Sequence, residues 1–108
     1  MRKLILSVFL AVSLVYGSTA QNGFIRGTVF DDANGESLPG VQILVVGTTT
    51  GTLTDLDGKF NISIAPGTYN LKLSYISYDP LVIESIIVRP DEVFLLDNIR
   101  MKEVAVEL

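Results

Sequence analysis

Apolar and polar residues alternate in short runs along most of this chain, and each run ends in residues that reverse the backbone. Within Phe24–Phe30 the residues Ile25, Gly27 and Val29 share one parity, which predicts a first strand with one buried face. Gly27 weakens such a strand unless another backbone approaches closely at that point. Asp31 to Pro39 is rich in turn formers (Asp31, Asp32, Asn34, Gly35, Ser37, Pro39) and is expected to be a loop. Val41–Val46 predicts a second strand with Val41, Ile43 and Val45 on one face. Leu44 and Val46 are apolar too, so both of its faces are candidates for burial.

Gly47 to Gly51 is the next connection, flanked by threonines that favour extended structure. Leu53 and Thr54 are expected to begin a hairpin whose turn is Asp55-Leu56-Asp57-Gly58, because Gly58 tolerates the positive φ that Asp-Gly turns need. Phe60, Ile62 and Ile64 then alternate with Asn61 and Ser63, and Pro66-Gly67 reverses the chain. Tyr69, Leu71, Leu73 and Tyr75 form the inward set of the following strand. After Asp79-Pro80, Leu81–Val88 reads as a strand of less regular alternation. Arg89-Pro90-Asp91-Glu92 turns the chain into Val93–Met101. Ile83, Ile86 and Ile87 also fit one face of a helix, but the β-branched content favours strand. About seven strands at intervals of roughly 8–12 residues predict an all-β, seven-stranded antiparallel sandwich.

The first twenty residues follow a different rule. Met1-Arg2-Lys3 is basic, Leu4 to Tyr16 is mostly apolar, and Ser18-Thr19-Ala20 supplies small residues, the pattern of a secretory signal peptide cut after Ala20. The apolar run is shorter than the roughly 20 residues a spanning helix needs. The expected organisation is a signal peptide over 1–20, one β-sandwich domain over 21–103, and the start of a linker or further strand over 104–108. In that last stretch Val104, Val106 and Leu108 alternate with Ala105 and Glu107, so the pattern implies a continuation.

Composition narrows the chemistry. Without residues 1–20 the chain keeps six basic residues against twelve acidic ones, a balance that disfavours nucleic acid and anionic membrane as partners. There is no Cys and no His. A domain this small therefore relies on its apolar core and sheet hydrogen bonds, without disulfide or zinc. The same absence removes the thiolate and the usual base of nucleophilic catalysis. Asp55-Leu56-Asp57-Gly58 looks like the start of a calcium loop, but an EF-hand needs Gly at the sixth position and Glu at the twelfth, where Phe60 and Pro66 stand. Asp31-Asp32 and Asp91-Glu92 are adjacent pairs in turns, read as solvated loop charge rather than as acids placed across a cleft. Gly47 to Gly51 is followed by no Gly-Lys-Ser/Thr and is not a phosphate loop. Tyr69 and Tyr75 share the inward parity of their strand, whereas Tyr78 lies beyond it as a candidate contact residue. The expectation is a non-enzyme without catalytic, metal or cofactor-binding residues.

The order Leu38-Pro39-Gly40-Val41, Asp57-Gly58-Lys59-Phe60, Ala65-Pro66-Gly67-Thr68-Tyr69 and Ser74-Tyr75-Ile76-Ser77-Tyr78 resembles the carboxypeptidase-regulatory-like domain. The resemblance covers about Phe24 to Met101 and departs at Ser77, where Gly is frequent. It implies a prealbumin-like or Ig-like β-sandwich in which these residues are structural. Such domains commonly stand at the periplasmic N-terminus of TonB-dependent outer-membrane receptors of the Bacteroidetes. The implied role is an accessory or interaction module in nutrient uptake, with the plug and barrel of the parent receptor and periplasmic proteins as partners. A free-standing secreted β-sandwich for binding or adhesion is the alternative.

Overall fold

The computed structural model describes residues 21–105. The segment read as a signal peptide, and residues 106–108 of the C-terminal alternation, lie outside the described residues. Among the described residues the elements are β1 (Gly23–Asp31), β2 (Gln42–Val45), β3 (Gly51–Leu53), β4 (Lys59–Ile64), β5 (Gly67–Ser74), β6 (Leu81–Val88) and β7 (Val93–Met101). They form two sheets, one of order β4-β1-β7 and one of order β3-β2-β5-β6. The seven-stranded all-β sandwich expected from periodicity is the observed fold.

The two sheets close over one apolar core. Ile25 and Val29 of β1, Ile43 and Val45 of β2, Phe60, Ile62 and Ile64 of β4, Leu71 and Leu73 of β5, Ile86 and Val88 of β6, and Ile99 and Met101 of β7 are all buried in it. Each fully buried aliphatic side chain contributes on the order of 1.5–3 kcal/mol relative to exposure. Leu44 and Val46 point away from it, 37% and 47% exposed, so β2 is covered on one face only.

Three pairings depart from the sequence reading. β1 and β7 run parallel, with Phe24 opposite Val93 and Asp31 opposite Met101, while the other pairs are antiparallel. The cause is connectivity: the turn after β6 carries the chain from one sheet to the other, where β7 rises beside β1 in the same direction. Second, Asp55–Gly58 makes a tight turn but not a hairpin, because β3 and β4 belong to different sheets. β3 pairs instead with β2, through the loop between them. Third, β6 and β7 each switch parity part-way. The β5–β6 register shifts between Tyr69 and Leu71, and Asn70 Oδ1 accepts the Ser85 amide where Ser85 has φ of 60°. The β1–β7 register shifts between Gly27 and Val29. Each bulge moves the buried set by one residue, from Leu81 and Ile83 to Ile86 and Val88 in β6. That shift produces the helix-like spacing of Ile83 and Ile86.

Thr54 fastens the loop that enters β2. Its hydroxyl is buried, donates to the Leu38 carbonyl at 2.6 Å and accepts the Val41 amide at 2.9 Å. Its backbone binds the same loop again, through Gly40 N to Thr54 O and Thr54 N to Val41 O. The Leu38-Pro39-Gly40-Val41 block is thus held by a side chain 13 residues beyond Val41 and 16 beyond Leu38, because β3 returns beside β2.

Candidate functional site

One end of the sandwich gathers Asp31, Asp32, Asp55, Asp57, Tyr75 and Tyr78 from among the residues that sequence singled out. β1 and β7 both finish there, as the Asp31–Met101 pair shows, and Gln42 lies opposite both Ser74 and Leu53 there. The loops 31–41, 54–58 and 74–80 and residues 101–105 therefore share this Asp31 end. Residues 21–22 lie at the opposite end, where Asp91 N donates to the Asn22 carbonyl.

Asp31 organises the end. Its side chain is 4% exposed, which corrects the reading of Asp31-Asp32 as solvated loop charge; Asp32 is the exposed member. Oδ1 accepts the Ala33 amide at 2.8 Å and the Asn34 amide at 3.3 Å, and Oδ2 accepts the Tyr78 hydroxyl. Burial of a carboxylate is tolerated because its lone pairs are filled. The Tyr78 hydrogen bond, followed by the Ala33 amide, holds the Asp31 carboxyl below its ordinary value of 3.8 against the opposing effect of burial. The same bond, helped by burial and the nearby negative charge, pushes the Tyr78 phenol up to about 12.

Tyr78 in turn ties the two sheets together. It is half-buried, its ring centroid lies 5.5 Å from that of Tyr75, and its backbone bridges to Glu103. Asp79 N donates to Lys102 O and Val104 N to Ser77 O, so the segment after β7 is laced to the turn after β5. Ser77 in that turn has φ of 67°, the left-handed conformation that suits glycine.

The linkage has a measurable consequence. A raised folded pKa means that the stability linked to Tyr78 is full below pH 10 and is lost as pH rises from there through about 12. A lowered folded pKa means that the Asp31 contribution is present above pH 3.8 and is lost as pH falls below it. Ultraviolet titration of phenolate absorbance is expected to show one tyrosine ionising near pH 12. In Tyr78→Phe that late step disappears, and if it persists the late group is another tyrosine.

The other candidates have local roles. Asp55 Oδ1 accepts the amides of Asp57 and Lys59, both at 2.9 Å, so this carboxylate is turned into its own turn. Gly47 to Gly51 is closed on itself, with Thr48 Oγ1 donating to Val45 O and accepting the Thr50 amide. Asp91 and Glu92 are exposed. The Tyr69 hydroxyl donates to Ala65 O at 2.6 Å while its ring packs on the core. Among the described residues no group of three or more His, Cys, Asp or Glu is placed to hold a metal ion, and no helix is long and apolar enough to cross a membrane.

Beside the Tyr75–Tyr78 pair lies an open groove of about 380 Å³ lined by Gly40, Gln42, Leu53, Ser74, Tyr75 and Ile76. Leu53 is 61% exposed and Ile76 84%, and on the neighbouring turn Leu56 reaches 89%. Periodicity does not mark these three: Leu53 ends a strand of three residues, too short to show alternation, and an apolar turn residue such as Leu56 or Ile76 looks the same in sequence whether it is tucked in or held out. What the arrangement offers is a surface for contact.

Residues 25–106 match the CarboxypepD_reg-like domain family. The chain belongs to that family. Among relatives, the TonB-dependent receptor SusC of Bacteroides thetaiotaomicron is 32% identical over 103 residues, which cover 92% of this chain and 10% of that protein. The TonB-dependent receptor P3 of Formosa agariphila is 37% identical over 76 residues, 70% of this chain and 8% of that protein. This CarboxypepD_reg-like chain thus spans a tenth or less of the length of these relatives. Among solved structures, a type II cohesin–X-dockerin complex from Acetivibrio cellulolyticus contains a similar chain, with a TM-score of 0.66, 26% identity, and coverage of 78% of this chain and 61% of that one.

Proposed function

We propose that this CarboxypepD_reg-like domain is a non-catalytic interaction module of a TonB-dependent outer-membrane receptor for nutrient uptake, exported by its signal peptide and working in the periplasm. The observation that carries this reading is the similarity to SusC along 92% of the chain. The site chemistry agrees with it. The carboxylates with the best-defined geometry, Asp31 and Asp55, are occupied in holding turns, and the Asp31 end presents apolar side chains on a braced surface. Its partners on this reading are the plug and barrel of the parent receptor and periplasmic proteins.

The test is the DNA beyond the Leu108 codon in the source genome. A reading frame that continues into a plug and a long series of amphipathic strands is the expected result. An immediate stop codon would overturn it. The second reading, a free-standing secreted binding module, then takes its place; the likeness to a chain of a cohesin–X-dockerin complex favours it.

A further inference from the structure

We propose that residues 102–105 form a latch, a strap that closes across the seam between the two sheets and opens as one unit while the sandwich stays folded, with the Tyr78–Asp31 bond as its pin. The chain changes partners at this point. Up to Met101, β7 is held by β1, and Asp32 N donating to Met101 O is the last bond of that kind among the described residues. From Lys102 onward the bonds go to the turn between β5 and β6, in the other sheet. Asp79 N donates to Lys102 O, Val104 N donates to Ser77 O, and Glu103 bridges to Tyr78. The segment therefore sews one sheet to the other at the Asp31 end.

Two features make the strap separable. Met101 is 1% exposed, whereas Lys102, Glu103, Val104 and Ala105 are all exposed, so opening uncovers almost no core. Segments with few buried apolar contacts and solvent-exposed backbone bonds open well before the whole domain does. The turn that receives the strap is also conditional. Ser77 holds φ of 67°, a conformation that disfavours a non-glycine residue and persists only where its surroundings fix it. Here those surroundings are Tyr78: its N donates to Tyr75 O, its ring packs on the core and against Tyr75, and its hydroxyl reaches Asp31. Asp31 is buried, and its other oxygen is fixed by the Ala33 and Asn34 amides, so the pin is seated in the end of β1. Closed, the chain leaves the domain along the Tyr78 turn. Open, it leaves from Met101, and the freed residues 102–105 span roughly 13–14 Å at full extension. The latch thus sets the direction of exit, a property of the domain itself that stands apart from the receptor reading above.

Amide hydrogen exchange on the whole chain, read residue by residue by NMR, tests the latch. The reference is the amide of Val29, a fully buried residue whose N donates to Gly58 O. The Asp79 and Val104 amides are expected to share one protection factor, within about threefold, because they open together, and to be at least about a hundredfold less protected than Val29. In Tyr78→Phe, which keeps the ring and loses the hydroxyl, the protection of both is expected to fall at least about tenfold relative to Val29 in the same sample. Ser77→Gly relieves the turn and is expected to raise the protection of both by about two- to fivefold. This second variant decides the matter if Tyr78→Phe does not fold, and unchanged protection in it overturns the latch. Protection equal to that of Val29 means that the strap opens only with the domain, and no protection means that it never closes; either result overturns the proposal. Exchange at Val104 that is independent of Asp79 reduces the segment to a fraying end. An equal fall at all three amides in Tyr78→Phe makes the bond part of the global fold and removes the pin.

Discussion

Gly27→Val is expected to cost at least about 3 kcal/mol and to leave much of the chain unfolded at moderate temperature. A Cβ at Gly27 meets the Leu96 carbonyl oxygen at 2.6 Å and the Phe60 ring at 2.6 and 2.7 Å. Phe60 is the direct cross-strand partner of Gly27, and its ring lies over the glycine where other residues carry a side chain. Leu96 is the partner on the other side, in β7. The added side chain therefore meets the core on one flank and sheet backbone on the other. A flexible side chain can move aside, but the Leu96 carbonyl moves only with its strand. For a domain of this size 1 kcal/mol corresponds to about 4–8 °C in Tm, so the expected fall exceeds about 12 °C. Thermal denaturation followed by circular dichroism reads it. Phe60→Leu in the same chain is expected to relieve the ring contact only, recovering part of the loss. Full recovery would show that the carbonyl contact is harmless, and no loss at all would show that the strands separate enough to admit the side chain.

Gly58→Val is expected to cost more than about 2 kcal/mol, for two separable reasons. Gly58 has φ of 74°, where a β-branched residue is strained. The position is also crowded, since a Cβ meets the Val29 carbonyl oxygen at 2.7 Å, Ser37 Cβ at 3.0 Å and Leu38 N at 3.1 Å. Gly58 O accepts the Val29 amide at 2.9 Å, so the turn is bonded to β1 at the point where it is crowded. Gly58→Asn separates the causes, because Asn tolerates the left-handed region but still needs room. If Asn is as damaging as Val, crowding dominates; if Asn is well tolerated, the backbone conformation does. An unchanged Tm in Gly58→Val would mean that the turn rearranges.

These two glycines show different depths of legibility. Gly27 stands out in sequence as a weak point inside a strand, and the condition for keeping it, a close approach, is met by Phe60 and Leu96. Gly58 is recognisable as a positive-φ turn residue, yet the strands it joins separate into different sheets. A turn signal reports local φ and ψ, and the same dihedrals serve a hairpin or a crossing between sheets. The contact surface was less legible still. Leu56 and Ile76 are apolar residues in loops, and their 89% and 84% exposure follows from how their turns are braced, not from their spacing.

By itself the sequence determined the number of strands, which residues of β1, β4 and β5 face the core, and where the chain turns. All of these follow from local chemistry: alternation reports the face, and Gly, Pro, Asp and Asn report reversals. Tertiary structure alone decided that β1 and β7 run parallel, that Asp55–Gly58 crosses between sheets, and that Asp31 is buried against Tyr78, 47 residues away. Strand pairing and burial of a polar side chain are contacts between distant residues. Alternation encodes which face of a strand is covered, but not which strand covers it.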